Sequence, residues 1–437
     1  DHPDIEEFIH AKDDGGLKNF NLSIAVTDAF MQAVLADGEV DLVHRAEPGE
    51  AQKATGARRR DGSGRAWIYR TVKARDLWDQ IVRSTYDHAE PGVLFIDTIN
   101  RDNNLSYCET IESCNPCSEQ SLPAYGCCCL GSIDLTRFVL DPFEPAARFD
   151  DQRFTQVASV AVRMLDNVLD TTVWPLAQQQ RQAIDKRRVG LGFTGLGDAL
   201  VMLGLAYGTP EARSEARRIA ELMRDAAYAA SVELARERGA FPAFDAERYL
   251  SRGTFASRLP AHLREQIRQH GIRNSHLTAI APTGTISLLA NNVSSGLEPV
   301  YRFEYKRRIR EADGTLTEHP VVDYAYRLYR RLKGVNALLT PAFVTADEIA
   351  PTLHLDMQAA LQPWVDSAIS KTVNVPQDFS FARFRSLYEY AYDKGLKGCT
   401  TFRPNPVTGQ VLVDVDEPAP LEKGSAIHCC SAERESD

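Results

Sequence analysis

A cysteine-rich loop constrains this chain more than any other stretch of its sequence. The segment from Cys114 to Leu135 reads CNPCSEQSLPAYGCCCLGSIDL and holds five of the nine cysteines. Pro116, Pro123 and Gly126 interrupt it, and no helical repeat of apolar residues runs through it. The sequence therefore predicts an irregular loop between buried elements, and the density of thiols calls for a chemical explanation.

The first explanation is radical and thiol chemistry. Cys117 and Glu119 are two residues apart, and Asn115 lies two residues before Cys117. In extended backbone, alternate side chains point the same way, so these three would direct a thiol, an acid–base group and an amide into one cavity. Cys128, further along the loop, would approach as a redox thiol.

A zinc site and a dithiol oxidoreductase are the alternatives. Cys114-x-x-Cys117 with any of Cys127, Cys128 and Cys129 offers thiolate ligands for zinc, and the same C-x-x-C spacing occurs in redox enzymes. Both are weakened locally, since no helix is predicted after Cys117 and there is no second C-x-x-C. No metal site is predicted, and single thiols here also suit a role as small buried apolar side chains.

Composition excludes several functions. Hydrophobic residues make up 43% and charged residues 25% of the chain, as in ordinary globular proteins. A net charge of −10 argues against broad binding to nucleic acids or anionic membranes, and no apolar run is long enough to span a bilayer. An odd number of cysteines suits reduced thiols in the cytoplasm. The chain starts at Asp1 and lacks an initiator methionine, so a longer protein is expected.

Strands alternate with helices along the chain, which predicts an α/β fold with parallel strands. Residues 37–65 are polar and predict a surface excursion. A long helix is predicted from Asp151 to Trp174. Its predicted buried face comprises Val157, Ala161, Met164, Leu165 and Val168.

Two glycine-containing motifs follow the cysteine loop. The run GLGFTG at 190–195 matches G-x-G-x-x-G, but its context is wrong for a dinucleotide site, so its glycines are predicted to let a loop pack closely. After a predicted strand at 277–281, residues Pro282, Thr283, Gly284, Thr285 and Ile286 offer hydroxyls and backbone N–H groups that suit a phosphate. A capped helix is the alternative.

Several separate motifs resemble ribonucleotide reductases, most closely the adenosylcobalamin-dependent class. They include Asn115-Pro-Cys117-x-Glu119, the run from Cys128 to Leu135, and the segments DHPDIEEF, RRVGLGFTGLGDAL, APTGTISLLANN, SSGLEPVY and SKTVNVP. The resemblance implies a ten-stranded α/β barrel of two five-stranded halves, with residues 114–135 as an internal finger loop. It further implies that residues 1–409 form a catalytic domain that is incomplete at its N-terminus, and that residues 410–437 form a flexible tail.

The resemblance also implies roles for individual residues. Cys117 would become the thiyl radical that takes hydrogen from C3′ of a ribonucleotide, and Glu119 would remove the 3′-hydroxyl proton. Asn115 would bind the sugar hydroxyls, and Cys128 would be one of two reducing thiols. Residues Pro282 to Ile286 would hold the phosphates of the substrate, which is a ribonucleoside diphosphate or triphosphate.

Cofactor and partners follow from the same resemblance. Thr400 and Thr401 stand where reductases fed by a diiron subunit carry two tyrosines, and no glycyl-radical motif is present, which leaves adenosylcobalamin as the radical source. Cys429 and Cys430 resemble the tail thiols that re-reduce the site, with electrons from a thioredoxin or glutaredoxin-like reductant. A homodimer is compatible with the resemblance.

Two departures from the family pattern affect these expectations. The second reducing cysteine of the family lies upstream of DHPDI, so the missing N-terminal part of the barrel is an expected partner, in the same polypeptide or as a separate chain. An inactive partner subunit is the alternative. Cys129 stands where the family has Asp or Asn, so the choice of Cys128 among Cys127, Cys128 and Cys129 rests on spacing.

Overall fold

The structure is a computed structural model, and it describes residues 1–13, 17, 20–60, 66–310, 315–404 and 412–413. Its strands are β1 (Ser23–Val26), β2 (Glu39–His44), β3 (Arg58–Arg59), β4 (Trp67–Lys73), β5 (Gly92–Phe95), β6 (Ser113–Cys114), β7 (Ser121–Leu122), β8 (Cys129–Asp134), β9 (Val139–Leu140), β10 (Arg148–Phe149), β11 (Val189–Thr194), β12 (Glu304–Arg310), β13 (Leu316–Val322), β14 (Thr372–Asn374), β15 (Gly398–Phe402) and β16 (Leu412–Val413).

Its α-helices are α1 (Ile5–Ile9), α2 (Asp28–Leu35), α3 (Glu50–Ala54), α4 (Ala74–His88), α5 (Ile96–Asp102), α6 (Asp151–Thr171), α7 (Ala177–Lys186), α8 (Leu196–Met202), α9 (Pro210–Arg238), α10 (Ala246–Tyr249), α11 (Ala261–His270), α12 (Gly284–Leu289), α13 (Tyr324–Lys333), α14 (Pro351–Leu361) and α15 (Phe381–Asp393). Side chains at the N-caps fix where the longest helices begin. Asp150 accepts from the Arg153 N–H, and Thr209 accepts from the Ala212 N–H. No described helix has the length and apolar character needed to cross a membrane.

Four strands form a mixed sheet in the order β1-β5-β15-β14. The β1–β5 and β14–β15 pairs are parallel, and β15 runs antiparallel to β5, with Cys399 opposite Val93. The prediction of an α/β fold with parallel strands is confirmed, with this antiparallel junction in addition.

The sheet continues beyond β14 through a shared segment at 367–370. The Ile280 N–H donates to the Ala368 carbonyl over 3.2 Å, which aligns residues 277–281 with that segment. On their other side, the Leu191 N–H donates to the Leu277 carbonyl over 2.7 Å. Strand β11 then pairs in parallel with β8. The cysteine region, β11 and the 277–281 segment are thus neighbours.

The described strands do not close into a ring. No ladder among the described residues joins β8 to β1, the two outer strands of this succession. The described part of the chain therefore shows an open, mixed sheet with helices packed against it, and the ten-stranded barrel implied by the resemblance is not seen in it.

Two hydrophobic cores support this arrangement. The larger one joins α6 and α9 to β8 and β11, and the smaller one packs α4 and α15 against β1, β5 and β15. In α4, the side chains of Leu77, Trp78, Ile81 and Val82 are buried. Each fully buried side chain of this size contributes roughly 1.5–3 kcal/mol of hydrophobic stabilisation.

Helix α6 buries a different face from the one predicted. Phe154, Ala158, Val162, Leu165 and Leu169 are buried. Of the predicted set, only Leu165 belongs to this face; Ala161 is partly buried, and Val157, Met164 and Val168 are exposed. The helix carries two apolar stripes of helical spacing, and the stripe that includes Phe154 packs on α9.

Residues 37–65 contain more structure than predicted. Strand β2 pairs antiparallel with β4, with Glu39 opposite Lys73, and α3 follows it. The polar composition hid this strand because Leu42 is its only buried residue and the others are partly buried or exposed.

Candidate active site

The start of the cysteine loop is a tight hairpin. Strands β6 and β7 pair with Cys114 opposite Ser121 and enclose residues 115–120, here called the hairpin tip. The Asn115 N–H donates to the Gln120 carbonyl, and the Gln120 N–H donates to Asn115 Oδ1, both over 3.0 Å. Ser118 has a φ of 66°. The backbone therefore turns between Cys117 and Glu119, and the prediction that it is extended there is wrong.

Glu119 is a buried carboxyl at the hairpin tip. Its side chain is 3% exposed, and its Oε2 has no hydrogen-bond partner among the described residues. Burial raises the pKa of Glu119, and a hydrogen bond from the Asn115 side chain opposes that rise. A buried carboxyl with one unused oxygen and a raised pKa is suited to exchange a proton with a ligand.

Distant residues hold the hairpin tip in place. The Ala368 N–H donates to the Glu119 carbonyl over 2.9 Å. The Ser367 hydroxyl donates to Gln120 Oε1 over 3.4 Å, across 247 residues of sequence. The tip is therefore attached to the same segment that joins the two parts of the sheet.

The GLGFTG motif lies within β11 and beyond its end, and not in a loop as predicted. A Cβ on Gly190 would lie 2.4 Å from Gln120 Nε2, and one on Gly192 would lie 2.2 Å from the Ala279 carbonyl oxygen. The predicted close packing is thus found in a strand, where these glycines admit the hairpin tip and the 277–281 segment.

The predicted phosphate-binding residues form a turn that leads into α12. Thr283 has a φ of 58° and precedes the first helical residue, Gly284. The Thr283 hydroxyl lies 2.8 Å from the Thr194 hydroxyl and accepts a hydrogen bond from the Gly296 N–H over 2.7 Å. That hydroxyl therefore has partners within the protein and does not cap α12.

One cleft brings the hairpin tip and this turn together. It encloses about 780 Å³ of space that includes open solvent, and Cys117, Pro282 and Gly284 all line it. Ser23 and Thr400 line it as well. We call it the active-site cleft. The other predicted site residues lie outside this lining: Asn115, Glu119, Cys128, Thr283, Thr285 and Ile286.

A buried ion pair at the cleft was missed by sequence reasoning. Glu298 lines the cleft, and its carboxylate contacts the buried ammonium group of Lys371 and accepts a hydrogen bond from the Thr372 N–H over 2.9 Å. Burial lowers the pKa of Lys371, and Glu298 opposes this. A lone charge inside each of the apolar segments SGLEPV and SKTVNV is the signal that indicates such a pair.

The consecutive cysteines Cys127, Cys128 and Cys129 are not among the described residues that line the active-site cleft. Cys129 begins β8 opposite Val189 of β11, which places Cys128 beside Arg188 at the entrance of the two strands. Cys127 and Cys128 are partly buried. Burial raises the pKa of Cys127 to about 11 and that of Cys128 well above its ordinary value, and the Arg188 charge opposes both shifts.

A buried charge cluster adjoins these thiols. The Glu109 carboxylate contacts both the Arg188 guanidinium and the Lys186 ammonium, the latter over 2.6 Å, and all three side chains are less than a tenth exposed. This Lys186–Glu109–Arg188 triad has two cations for one carboxylate. A nearby thiolate would therefore offset its excess positive charge.

The zinc and dithiol hypotheses find no support in the described residues. No three His, Cys, Asp or Glu side chains there are placed to hold a metal, and no disulfide joins the cysteines described. Cys114 lies in β6 and not at the start of a helix. The predicted tail thiols, Cys429 and Cys430, lie outside the described residues.

Comparison with known proteins identifies the family. Residues 1–402 match the family described as ribonucleotide reductase, barrel domain. The chain belongs to this family, as its motifs indicated. It is 36% identical over 438 residues to the vitamin B12-dependent ribonucleoside-diphosphate reductase of Mycobacterium tuberculosis (strain CDC 1551 / Oshkosh), and the match covers 96% of this chain and 57% of that protein.

Two further relatives fit the same family. The vitamin B12-dependent ribonucleoside-diphosphate reductase of Thermoplasma acidophilum is 34% identical, over 94% of this chain and 51% of that protein. The ribonucleoside-diphosphate reductase large subunit of Caenorhabditis elegans is 29% identical, over 96% of this chain and 57% of that protein. The chain thus spans little more than half the length of the relatives it matches.

Proposed function

We propose that this chain supplies the catalytic region of an adenosylcobalamin-dependent ribonucleotide reductase that acts on ribonucleoside diphosphates. The observation that carries the proposal is the shared cleft, where Cys117 faces Pro282 and Gly284. The names of the relatives support both the diphosphate and the cofactor.

In the proposed reaction, each thiol and carboxyl has one task. The Cys117 thiyl takes a hydrogen atom from C3′, and Glu119 takes the proton of the 3′-hydroxyl. The 2′-hydroxyl takes a proton from Cys128 and leaves as water, and Cys117 later returns its hydrogen atom to C3′. Cys128 and a second thiol from the rest of the protein supply two electrons and become a disulfide. The unused Glu119 oxygen and its hydrogen bond from Asn115 support the proton transfer.

The substrate phosphates are proposed to lie on the turn from Pro282 to Ile286. Because the Thr283 hydroxyl is already bonded to Thr194 and Gly296, backbone N–H groups are the donors that the turn offers there. Thr285, in the same turn, is exposed.

The cleft also suits the proposed cofactor. Ser23, Asn21 and Thr400 line it beside Cys117 with hydroxyl and carboxamide groups, which would hold the polar adenosyl part of the cofactor. Bound adenosylcobalamin would supply the radical that the thiol requires. The side chains of this cleft would orient the reacting thiol and restrict access of water to it.

The finer architecture belongs to the same proposal. Residues 1–409 would form the later part of a ten-stranded barrel, with 114–135 as its finger loop and 410–437 as a flexible tail carrying Cys429 and Cys430. The preceding part of a reductase, in the same chain or a separate one, would pair with the outer strands β1 and β8. We further propose a cytoplasmic enzyme, a homodimer, and a thioredoxin or glutaredoxin-like reductant.

The test is adenosylcobalamin-dependent reduction of CDP and CTP by this polypeptide, with dithiothreitol as reductant. It is run with and without the N-terminal segment of a related reductase. Turnover that requires both pieces is the expected result. A folded protein that turns over neither substrate in either format would instead favour an inactive partner subunit.

A further inference from the structure

Two segments of the chain hold the elements that meet at the active-site cleft. The first is the loop at 294–298, which supports the turn before α12. The Gly296 N–H donates to the Thr283 hydroxyl over 2.7 Å, and the Ser295 and Ser287 hydroxyls lie 3.2 Å apart. Ser295 also lines the cleft. The position of the turn therefore depends on this loop.

The second segment, at 367–372, supports the hairpin tip. The Ala368 N–H donates to the Glu119 carbonyl over 2.9 Å. Ser370 and Thr372 line the cleft, and Thr372 is the first residue of β14. The position of the hairpin tip therefore depends on this segment.

The Glu298 side chain joins the loop to the segment. Its Oε2 contacts the Lys371 ammonium group, and its Oε1 accepts a hydrogen bond from the Thr372 N–H over 2.9 Å. The Lys371 ammonium group also donates to the Thr372 carbonyl over 2.6 Å. Both carboxylate oxygens therefore bind the 367–372 segment, while the backbone of Glu298 belongs to the loop that supports the turn.

The two charged side chains differ in their access to the cleft. Glu298 is 21% exposed and lines the cleft, whereas Lys371 is fully enclosed. Loss of Glu298 alone would leave a buried ammonium group without a counter-charge, which is strongly destabilising. Replacement of both groups by apolar residues of similar volume is often neutral for stability. The stability of the fold is therefore separable from the spacing that the pair imposes on the cleft.

We propose that Glu298 and Lys371 are positioning residues, which set the spacing between the turn before α12 and the Cys117 thiol. The inference rests on the proposed function, in which the turn holds the substrate phosphates and the thiol takes a hydrogen atom from C3′. A displacement of about 1 Å between a bound substrate and a reacting group can lower the rate by about 10²-fold. Loss of the pair should therefore lower kcat and change KM little, because the phosphates still bind to the turn.

The experiment is steady-state reduction of CDP by the assembled reductase, in which this polypeptide is combined with the N-terminal segment of a related reductase. The variants are Glu298→Met and the double variant Glu298→Met, Lys371→Met. We expect the double variant to melt at a higher temperature than the single one, because it leaves no buried charge without a partner. The kcat should nevertheless fall by about 10²-fold in both, with the KM for CDP changed by less than about threefold.

The matched control is the double variant Arg75→Met, Glu389→Met. This pair joins α4 to α15 over 2.9 Å, outside the lining of the cleft, and its loss should leave kcat unchanged. If Glu298→Met fails to fold, the comparison is between its double variant and the unmodified protein. Recovery of kcat together with the melting temperature in that double variant would show a purely structural role. This result would overturn the inference and leave the proposed reductase standing.

A second measurement does not depend on turnover. Iodoacetamide should alkylate Cys117 of this polypeptide at least about threefold faster in the Glu298, Lys371 double variant, because the turn and the hairpin tip are no longer held together. The exposed Cys108 should react at an unchanged rate. If the unmodified assembly shows no turnover, the proposed function fails, and an unchanged alkylation rate of Cys117 would then overturn the inference as well.

Discussion

Two groups of thiols in this molecule have different surroundings. Cys117 lies at a hairpin tip and lines a cleft whose described residues include no lysine or arginine. Cys127 and Cys128 lie beside the Lys186–Glu109–Arg188 triad, which has an excess of positive charge.

The difference separates two kinds of sulfur chemistry. Transfer of a hydrogen atom uses a neutral S–H group, and the described lining of the cleft contributes no lysine or arginine that would pair with a thiolate. Exchange between thiols and disulfides uses the thiolate, which a neighbouring guanidinium stabilises. The Arg188 charge therefore partly offsets the burial that raises the pKa of Cys128, whereas the described lining of the active-site cleft places no lysine or arginine beside Cys117.

The largest expected effect comes from Cys117→Ser in the active-site cleft. Serine keeps the shape but lacks an S–H bond weak enough for hydrogen-atom transfer, so turnover of the assembled reductase should fall by at least about 10³-fold. Cys108→Ser, at an exposed thiol, is the control and should retain turnover. Substantial turnover of the Cys117 variant would refute the role given to this thiol.

The substitution Gly192→Ala tests whether the two groups of thiols depend on the same strand, β11. Strand β11 contacts β8 on one side and the 277–281 segment on the other, and the new Cβ would lie 2.2 Å from the Ala279 carbonyl oxygen. Gly192→Ala should lower the free energy of unfolding by about 3 kcal/mol, measured by urea denaturation. Gly38→Ala, whose Cβ would meet nothing closer than 3.6 Å, should change it little.

Removal of the Arg188 charge sharpens the contrast between the two thiol groups. Because Arg188 opposes the burial that raises the pKa of Cys128, Arg188→Met should raise that pKa further and slow alkylation of Cys128 by roughly 3- to 10-fold at pH 8. Mass spectrometry of iodoacetamide-treated protein measures each site separately.

The matched control is Arg187→Met, at a neighbouring arginine that pairs with Asp166 and Asp170. It should leave the pH profile of Cys128 unchanged. The alkylation rate of Cys117 should be the same in both variants. A parallel change in the alkylation rates of Cys117 and Cys128 would show that the Arg188 charge acts on both thiols.

The smallest effect is a gain in stability from Glu119→Gln. Burial raises the folded-state pKa of Glu119 above its unfolded value, so this group stabilises the fold below the unfolded pKa and loses that contribution as pH rises through the folded pKa. The glutamine variant should therefore be more stable by roughly 1 kcal/mol at pH 7, with little difference at pH 4.

Thermal unfolding at the two pH values measures this, and turnover should fall in the same variant because the proposed proton acceptor is lost. Glu112→Gln, at an exposed position just before the hairpin, is the matched control. A variant no more stable at pH 7 than at pH 4, relative to the unmodified protein, would contradict the burial argument.

Local signals in the sequence predicted the positions of the loops better than they predicted which helix faces are buried. Breakers and thiols located the hairpin tip, and hydroxyls after an apolar run located the turn before α12. Those signals come from neighbouring residues. The prediction of the buried face of α6 was wrong. Packing against α9 decides which of the two apolar stripes is buried, and the periodicity within one helix does not encode that choice.

Long-range contacts account for the rest. The extended backbone predicted at Cys117 was wrong because alternation holds only in a strand, and Ser118 adopts a left-handed conformation. The pair of Glu298 and Lys371 joins residues far apart in sequence, and neither charge has a local periodic signal. The same limit applies to Arg188, whose partner Glu109 comes from before the cysteine loop.

The attachment of the hairpin tip to Ser367 and Ala368 has a consequence for how the protein is made. Gln120 in the tip precedes its hydrogen-bond partner Ser367 by 247 residues of sequence. Most of the chain is therefore synthesised before Ser367 and Ala368 leave the ribosome. Closing so long a loop is slow, and the tip is held only once it has closed. We therefore expect Cys117 to be positioned late in folding, after most of the chain has been synthesised.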